Sequence, residues 1–360
     1  MSVATGLAMG RSPKPELAQH AVSEAMQKAG LEIANSVLLF LTSEFARDPL
    51  PVIKAASRAA SCVQVIGCSA PGIFTEQDWV IDAPAAAAMV FGGDFSLSTD
   101  HVPQPTDLLL ALTAPHALDT TWLAAPGLRF GGVSGDATGQ GPFSVWQGGK
   151  AAISGHCEVV LHGMSGKIGV AHGVRILNEP KPVTAAQEHD VLFLGGKPAL
   201  DTLQEVCGEE PLPLHRVMAG LVDGAGTSAT RRYRLVALVG ASETERSVTL
   251  AHRVVPGQRM FWAIREPDAA RADLDVMLQE LLATLSVSPQ FGLLFSCLGR
   301  GPYFYSGVDR DLELLQQRLP GMPLIGFYGN GEIAPIEGVN ELLYYSAVLG
   351  IFHGLVQSQS

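Results

Sequence analysis

Charge is what this sequence has least of. Only 16% of its 360 residues are charged, against 47% hydrophobic. A chain so poor in charge and rich in apolar side chains buries a large core and is not disordered. Its 24 Lys and Arg are outnumbered by 35 Asp and Glu, for a net charge of −11. No basic run or basic stripe interleaved with aromatics occurs, which argues against nucleic acid, whose phosphates demand cationic neutralisation. Aromatics make up 7%. No apolar run approaches the ~18 residues of a membrane span, and the N-terminal stretch has no basic segment ahead of an apolar core, so no signal peptide is expected. The five cysteines, Cys62, Cys68, Cys157, Cys207 and Cys297, are odd in number and scattered, with no CxxC. That pattern fits a reducing compartment and not a disulfide scaffold, so the expected location is the cytoplasm.

What the sequence does have is glycine, 39 of them, often placed just after short apolar runs. Pro323-Leu324-Ile325-Gly326-Phe327-Tyr328-Gly329-Asn330-Gly331-Glu332-Ile333 reads as a buried strand entering a turn that carries one carboxylate. Val65-Ile66-Gly67-Cys68-Ser69-Ala70-Pro71-Gly72 and Leu128-Arg129-Phe130-Gly131-Gly132-Val133-Ser134-Gly135-Asp136 have the same shape. Gly67 and Gly326 are 259 positions apart, as are Ala88 and Ala347, while Leu39-Phe40 and Leu294-Phe295 are 255 apart. The repeated order is strand, helix, strand, glycine turn, strand, which predicts duplication of one unit with a compressed middle copy.

Other elements follow from periodicity. Strands are predicted at Val3–Met9, Val37–Leu41, Val63–Ile66, Ala85–Phe91, Leu108–Leu112, Glu158–His162, Val170–Ile176, Val191–Leu194, Tyr233–Val239, Val248–Val254, Phe291–Phe295, Leu324–Phe327 and Tyr344–Phe352. Helices are predicted at Glu16–Lys28, Pro51–Ser61, His116–Leu123, from Lys197, at Pro267–Leu285 and around Val308–Leu319. Pro142–Lys150 reads as a hairpin bending at Gly148-Gly149. The expected fold is mixed α/β (α+β), with pseudo-repeated units forming two packed halves whose sheets are covered by helices. The domain seam falls near Gly195-Gly196, giving domains 1–195 and 196–360.

The four glycine-rich segments Gly67–Gly72, Gly131–Asp136, Ser296-Cys297-Leu298-Gly299-Arg300-Gly301 and Gly326–Ile333, in this order, resemble the FIST family with its N-terminal and C-terminal domains. Pro182-Val183-Thr184 followed by Gly196-Lys197-Pro198-Ala199-Leu200 resembles the family's junction. The resemblance implies an intracellular sensory module for small ligands, often proposed to be amino acids, which in some members is a haem-dependent nitric oxide sensor. It also implies that a stand-alone chain signals through a protein partner. Two departures from the family pattern stand out: Ile73 follows Gly72 where an acid is usual, and Leu298 follows Cys297 where Asn is common.

The candidate ligand-binding residues are Glu332, Asn330, Arg300, Asp136, Cys68, Ser69 and Cys297. Arg300, with its planar fork, and Glu332 are suited to clamp the carboxylate and the ammonium of an amino acid. Asn330 and Asp136 also suit plain turn chemistry. Cys68 and Cys297 each lie just past a predicted strand, where open α/β sheets place ligand groups; no His at a fixed spacing points to a thiolate nucleophile, and no catalytic residue is assigned. A Cys-dependent hydrolase or transferase, or an interaction scaffold, stays open as an alternative. His156, Cys157, His162 and His172 form the densest set of metal or haem ligands, without HExxH or CxxCH spacing. No cofactor is expected, with haem the alternative. Tyr303, Phe304 and Tyr305 read first as core. The GxG at Gly329–Gly331 lacks the helix that a phosphate loop needs.

Overall fold

The structure, a computed structural model, describes residues 2–100, 102–148, 152–208, 211–222 and 233–355. It is mixed α/β and sheet-rich, with six α-helices among the described residues. The chain divides into two compact units that do not follow the halves of the sequence. One contains residues 1–171 and 275–360, the other residues 172–274.

The larger unit holds three six-stranded sheets. In the first, Val3–Met9 pairs antiparallel with Ala85–Phe91, which pairs antiparallel with Ser36–Thr42, which runs parallel to Val65–Ala70. The second repeats this order with Ser96–Ser98, His156–His162, Leu108–Thr113 and Leu128–Val133. The third repeats it with Met164–Ala171, Ala347–Gly354, Phe291–Cys297 and Leu324–Gly329. Each central parallel pair is fully or almost fully buried, as continuous apolar runs require.

One glycine recurs at one place in all three. Gly67, Gly131 and Gly326 stand opposite Leu39, Ala111 and Leu294 in the parallel pairs. A Cβ on each would fall 1.7, 1.9 and 1.8 Å from the partner's carbonyl oxygen. No side chain fits there, so glycine is dictated by the approach of the two backbones.

Past this glycine each segment turns and adds a strand to a different sheet. Gly72–Thr75 joins the third sheet beside Leu324–Gly329, Val145–Gln147 joins the first beside Val65–Ala70, and Glu332–Ile336 joins the second beside Leu128–Val133. This exchange ties the two chain ends into one unit and explains why the spatial division ignores the sequence halves. The shared interior is a cluster of rings from all three sheets: Phe40 lies 4.9 Å from Phe327, and Phe130 lies 6.2 Å from Phe295. A second core lies on the other face of the first sheet, under the helices Pro15–Ala29 and Leu50–Ala59. Pro at the start, Glu16 in the first turn and left-handed Gly30 after the end define the first of these helices, which buries the small face of Ala18, Ala21, Val22 and Ala25.

The smaller unit is antiparallel. Arg259–Arg265, Lys181–Gln187, Asp190–Leu194, Ser247–Leu250, Tyr233–Ser242 and Val217–Val222 pair in turn, and the last pairs back to the first, closing a six-stranded barrel. The helix Ala199–Cys207 contributes Thr202, whose hydroxyl accepts the indole N–H of buried Trp262 at 3.0 Å. Gly195 and Gly196, with φ of 61° and 81°, form the two-residue turn between Asp190–Leu194 and Lys197–Pro198 inside this unit, the backbone twist that a tight hairpin favours.

Three local expectations need correction, and a fourth is met in part. The run Val170–Ile176 is two strands, Met164–Ala171 and Val174–Ile176, one in each unit. His116–Leu123 is a 3₁₀ turn at Pro115–Ala117 and a five-residue helix, Thr120–Ala124, capped by Asp119. Tyr344 precedes its strand, which begins at Ala347. Of the hairpin at Pro142–Lys150, strand Val145–Gln147 pairs with Ala152–Ser154; residues 149–150 of its bend lie outside the described residues.

Candidate functional site

Most of the candidate residues that carry charge collect where the third sheet hands its chain to the second. Phe291–Cys297 and Leu324–Gly329 end side by side, with Cys297 opposite Gly329. After Cys297 the chain makes a 3₁₀ turn, Leu298–Arg300, and the guanidinium of Arg300 turns inward, 2% exposed. Its fork is engaged. Nε and Nη2 donate to the two oxygens of Asp311 at 2.6 and 3.2 Å, and Nη1 donates to the carbonyl of Ala171 at 2.9 Å. Tyr305 donates its hydroxyl to the same Asp311 at 2.7 Å. Asp309 caps the helix Arg310–Arg318 by accepting the Leu312 N–H at 2.8 Å, and its other oxygen accepts a short hydrogen bond from Tyr328.

Glu332 opens the strand that crosses to the second sheet and is completely buried. One carboxyl oxygen accepts the Ser346 hydroxyl at 2.6 Å and the Ser346 N–H at 3.3 Å. The other has no hydrogen-bond partner among the described residues. An orphaned buried oxygen is uncommon and costly, and it asks for an explanation. Ser346 also ties Glu332 to the strand end, since its carbonyl accepts the Cys297 N–H at 3.0 Å.

The electrostatics follow from burial. Three buried carboxyls, Asp309, Asp311 and Glu332, share the region with one buried guanidinium, Arg300. Burial lifts the Glu332 carboxyl well above the usual carboxylate range, against the opposing pull of the Ser346 hydrogen bonds and the Arg300 charge. Burial, then the Asp311 charge, pushes Asp309 up to about 6, opposed by the hydrogen bonds from Tyr328 and the backbone. Tyr344, partly exposed, is raised first by burial, then by the charges of Glu332 and Cys297.

The remaining candidates fall in different surroundings. Asn330 sits at the turn, its N–H bonded to the Val133 carbonyl at 3.0 Å and its side chain lying where a Cβ on Gly135 would project. Asp136, next along, accepts from Thr138 Oγ1 at 2.6 Å and from the backbone of Gly139 and Gly141, all within its own loop. Ser69 is buried and knits two copies of the unit: its Oγ accepts the Ser144 N–H at 3.1 Å, and its carbonyl accepts the Ser134 hydroxyl at 2.6 Å. Cys68 lies inside its strand and points into the shared core; burial, then the nearby Cys157, raises its thiol well above the ordinary value. Cys157 is pushed up to about 12 by burial and then Glu158. None of the five cysteines is in a disulfide.

His156 and His162 are exposed on one face of their strand, opposite buried Cys157, and the His156 ring lies 5.2 Å from that of Trp122. His172 belongs to the smaller unit, where it lies against Tyr233. Among the described residues, no group of three or more His, Cys, Asp or Glu is placed to hold a metal ion, and no helix is long and apolar enough to cross a membrane.

Asp309, Asp311, Tyr328, Tyr344 and Ser346 were missed as site residues. One signal was present: Asp309 lies in the first turn of the helical period Val308–Leu319, three residues before Leu312, a spacing at which an N-cap accepts a backbone N–H.

Comparison with known proteins places this arrangement in context. Residues 35–197 match the FIST N domain and residues 199–335 the FIST C domain. Two uncharacterised proteins of Mycobacterium tuberculosis are similar to it, one at 29% identity over 383 residues, covering 96% of this chain and 99% of the relative, and one at 29% over 380 residues. An uncharacterised protein of Mycobacterium bovis is 29% identical over 380 residues, covering 96% of this chain and 98% of the relative. With both domain models matched in order across most of its length, the chain belongs to the FIST family.

Proposed function

We propose that this protein is a cytoplasmic sensory module that binds a small polar ligand carrying an ammonium group, such as an amino acid, and passes the signal to a protein partner. FIST domains are associated with sensory roles in signal transduction, and this chain carries both of them. The observation that carries the ligand reading is the orphaned oxygen of fully buried Glu332 in a cluster of three carboxyls and one guanidinium. An ammonium donates to that oxygen and offsets the surplus of acid. In this reading Arg300 contributes its charge while its donors hold Asp311 and Ala171, so the ligand's carboxylate is met elsewhere. Asn330 and the Asp136 loop, which lie together at the turn, are the proposed polar rim. Cys297 borders the site, at the end of the strand opposite Gly329.

The same order of strands in three sheets, with one glycine at the same pairing position in each, supports reading the larger unit as three copies of one ancestral unit. The third copy places a fully buried acid, Glu332, at the start of the strand past its turn. Nothing in the family match divides the chain in space, and the domains 1–195 and 196–360 remain a proposal about the linear sequence.

A thermal-shift screen of amino acids, the corresponding amines and small carboxylates tests the ligand reading. A ligand that binds only the folded state raises the melting temperature. Amine-bearing compounds should do so for the native protein and not for Glu332→Gln. A shift produced by carboxylates alone would overturn the reading.

A further inference from the structure

We infer that the segment Ser346-Ala347 links Glu332 mechanically to Ala171, the residue from which the chain enters the smaller unit, so that what Glu332 binds is felt at that entrance. The inference rests on the ligand reading proposed above and gives the site an output.

The link is a run of direct contacts. Glu332 is completely buried and accepts both the hydroxyl and the N–H of Ser346, at 2.6 and 3.3 Å. Ser346 lies immediately before the strand Ala347–Gly354, and its carbonyl accepts the Cys297 N–H at 3.0 Å. Ala347 stands in register with Ser296 on one side and Ala171 on the other. The Ala171 carbonyl accepts from Nη1 of Arg300 at 2.9 Å, and Arg300 is fixed by Asp311. Ala171 is the last residue of the larger unit before His172 begins the smaller one.

Just beyond Ala171 the chain has a joint. One oxygen of Asp273 accepts two successive backbone N–H groups, from His172 at 2.7 Å and from Gly173 at 3.3 Å. The second bond is long, and Gly173 stands at a φ of 72°, a conformation that glycine enters and leaves at little cost. The joint switches between two arrangements: Asp273 holding both N–H groups, or only that of His172. At the other end of the link Tyr345, next to Ser346, has a φ of 56°. A bulky residue keeps that conformation only where its surroundings impose it, and the bonds of Ser346 to Glu332 and Cys297 do so.

A cation on the second oxygen of Glu332 fixes the carboxyl in its charged form. Hydrogen bonds to a charged acceptor are shorter and about twice as strong as neutral ones. The long Ser346 N–H bond has room to shorten, which draws Ser346 toward Glu332. Ala347 is paired on both sides and completely buried, so close packing passes the shift to Ala171.

The test is site-resolved amide hydrogen exchange on the full chain. Glu332→Gln and Ser346→Ala should each speed exchange at His172 and Gly173 about tenfold, the effect of losing one hydrogen bond. The Gly195 amide, bonded to the Pro182 carbonyl in the same unit, should not change. Asp309→Asn, which alters the neighbouring cluster away from this link, should leave all three amides as they are. Coupling is reciprocal, so Asp273→Ala should speed exchange at Cys297 without altering Glu332 or Ser346. Circular dichroism confirms that each variant is folded. Unchanged exchange at His172 and Gly173 in Glu332→Gln and Ser346→Ala, equal acceleration at Gly195, or an unmoved Cys297 amide in Asp273→Ala would each overturn the inference. These arms need no ligand. With methylammonium chloride, exchange at His172 and Gly173 should slow in the native protein. A rise in melting temperature with no change at these amides rejects the link alone. No rise counts against the ligand reading, and the variants still decide the link.

Discussion

Arg300 and Asp311 face each other as a two-pronged ion pair with both side chains 2% exposed, at 2.6 Å between Nε and Oδ2 and 3.2 Å between Nη2 and Oδ1. A pair this deep is held by mutual need: each charge is tolerable only while the other is present. Arg300→Met is therefore expected to cost about 3–5 kcal/mol, because it strands Asp311 without its cation. Adding Asp311→Leu to that variant should recover much of the loss. Urea denaturation of the single and double variants measures this, and equal losses in both would show that the cost is packing and not charge.

Stability should fall as pH rises through the range set by Asp309. Its carboxyl titrates near 6 in the folded protein, above its ordinary value of 3.8. The folded state thus holds a proton that the unfolded chain releases between these values. The benefit is complete below the unfolded value and is lost as pH passes the folded one, a swing of about 3 kcal/mol for a shift of this size. Glu332, also raised, acts in the same direction. Asp309→Asn keeps an acceptor for the Leu312 N–H and should flatten the profile between pH 4 and 6. Denaturant midpoints measured across that range check it, and an unchanged slope would contradict the assignment.

Gly326→Ala should be among the most damaging single-methyl additions in the protein. The new carbon would sit 1.8 Å from the Leu294 carbonyl oxygen and 2.5 Å from the Phe74 ring, so backbone and ring must both move, at a cost of about 3 kcal/mol or more. Gly240→Ala, with nothing within 4 Å of the new carbon, is the matched control and should change stability by less than about 0.5 kcal/mol. Melting of both variants separates close backbone approach from general intolerance.

These expectations rest on features that the sequence shows unevenly. The buried parallel strands were legible, because runs such as Val37–Leu41 and Phe291–Phe295 are apolar on both faces and glycine punctuates them. The barrel of residues 172–274 was not recognised as a closed sheet. Closure depends on Val217–Val222 meeting Arg259–Arg265, a pairing that no local period encodes. Arg300 and Glu332 stood out as charges in apolar company. Arg300's partner did not, because Asp311 is the second residue of a helix whose start, at Asp309, was not read as a cap. Cys68 was read as following its strand when it lies within it, because alternation turns Cys68 inward between Gly67 and Ser69.

The central claim is that Glu332 receives the cationic end of a small ligand. The most direct measurement is the melting temperature of the native protein and of Glu332→Gln, with and without a panel of amino acids and their amines, at near-neutral pH. At least one amine-bearing compound should raise the melting temperature of the native protein by a few degrees and leave Glu332→Gln unmoved. An equal rise in the two proteins, or no rise with any of the compounds, would contradict the account.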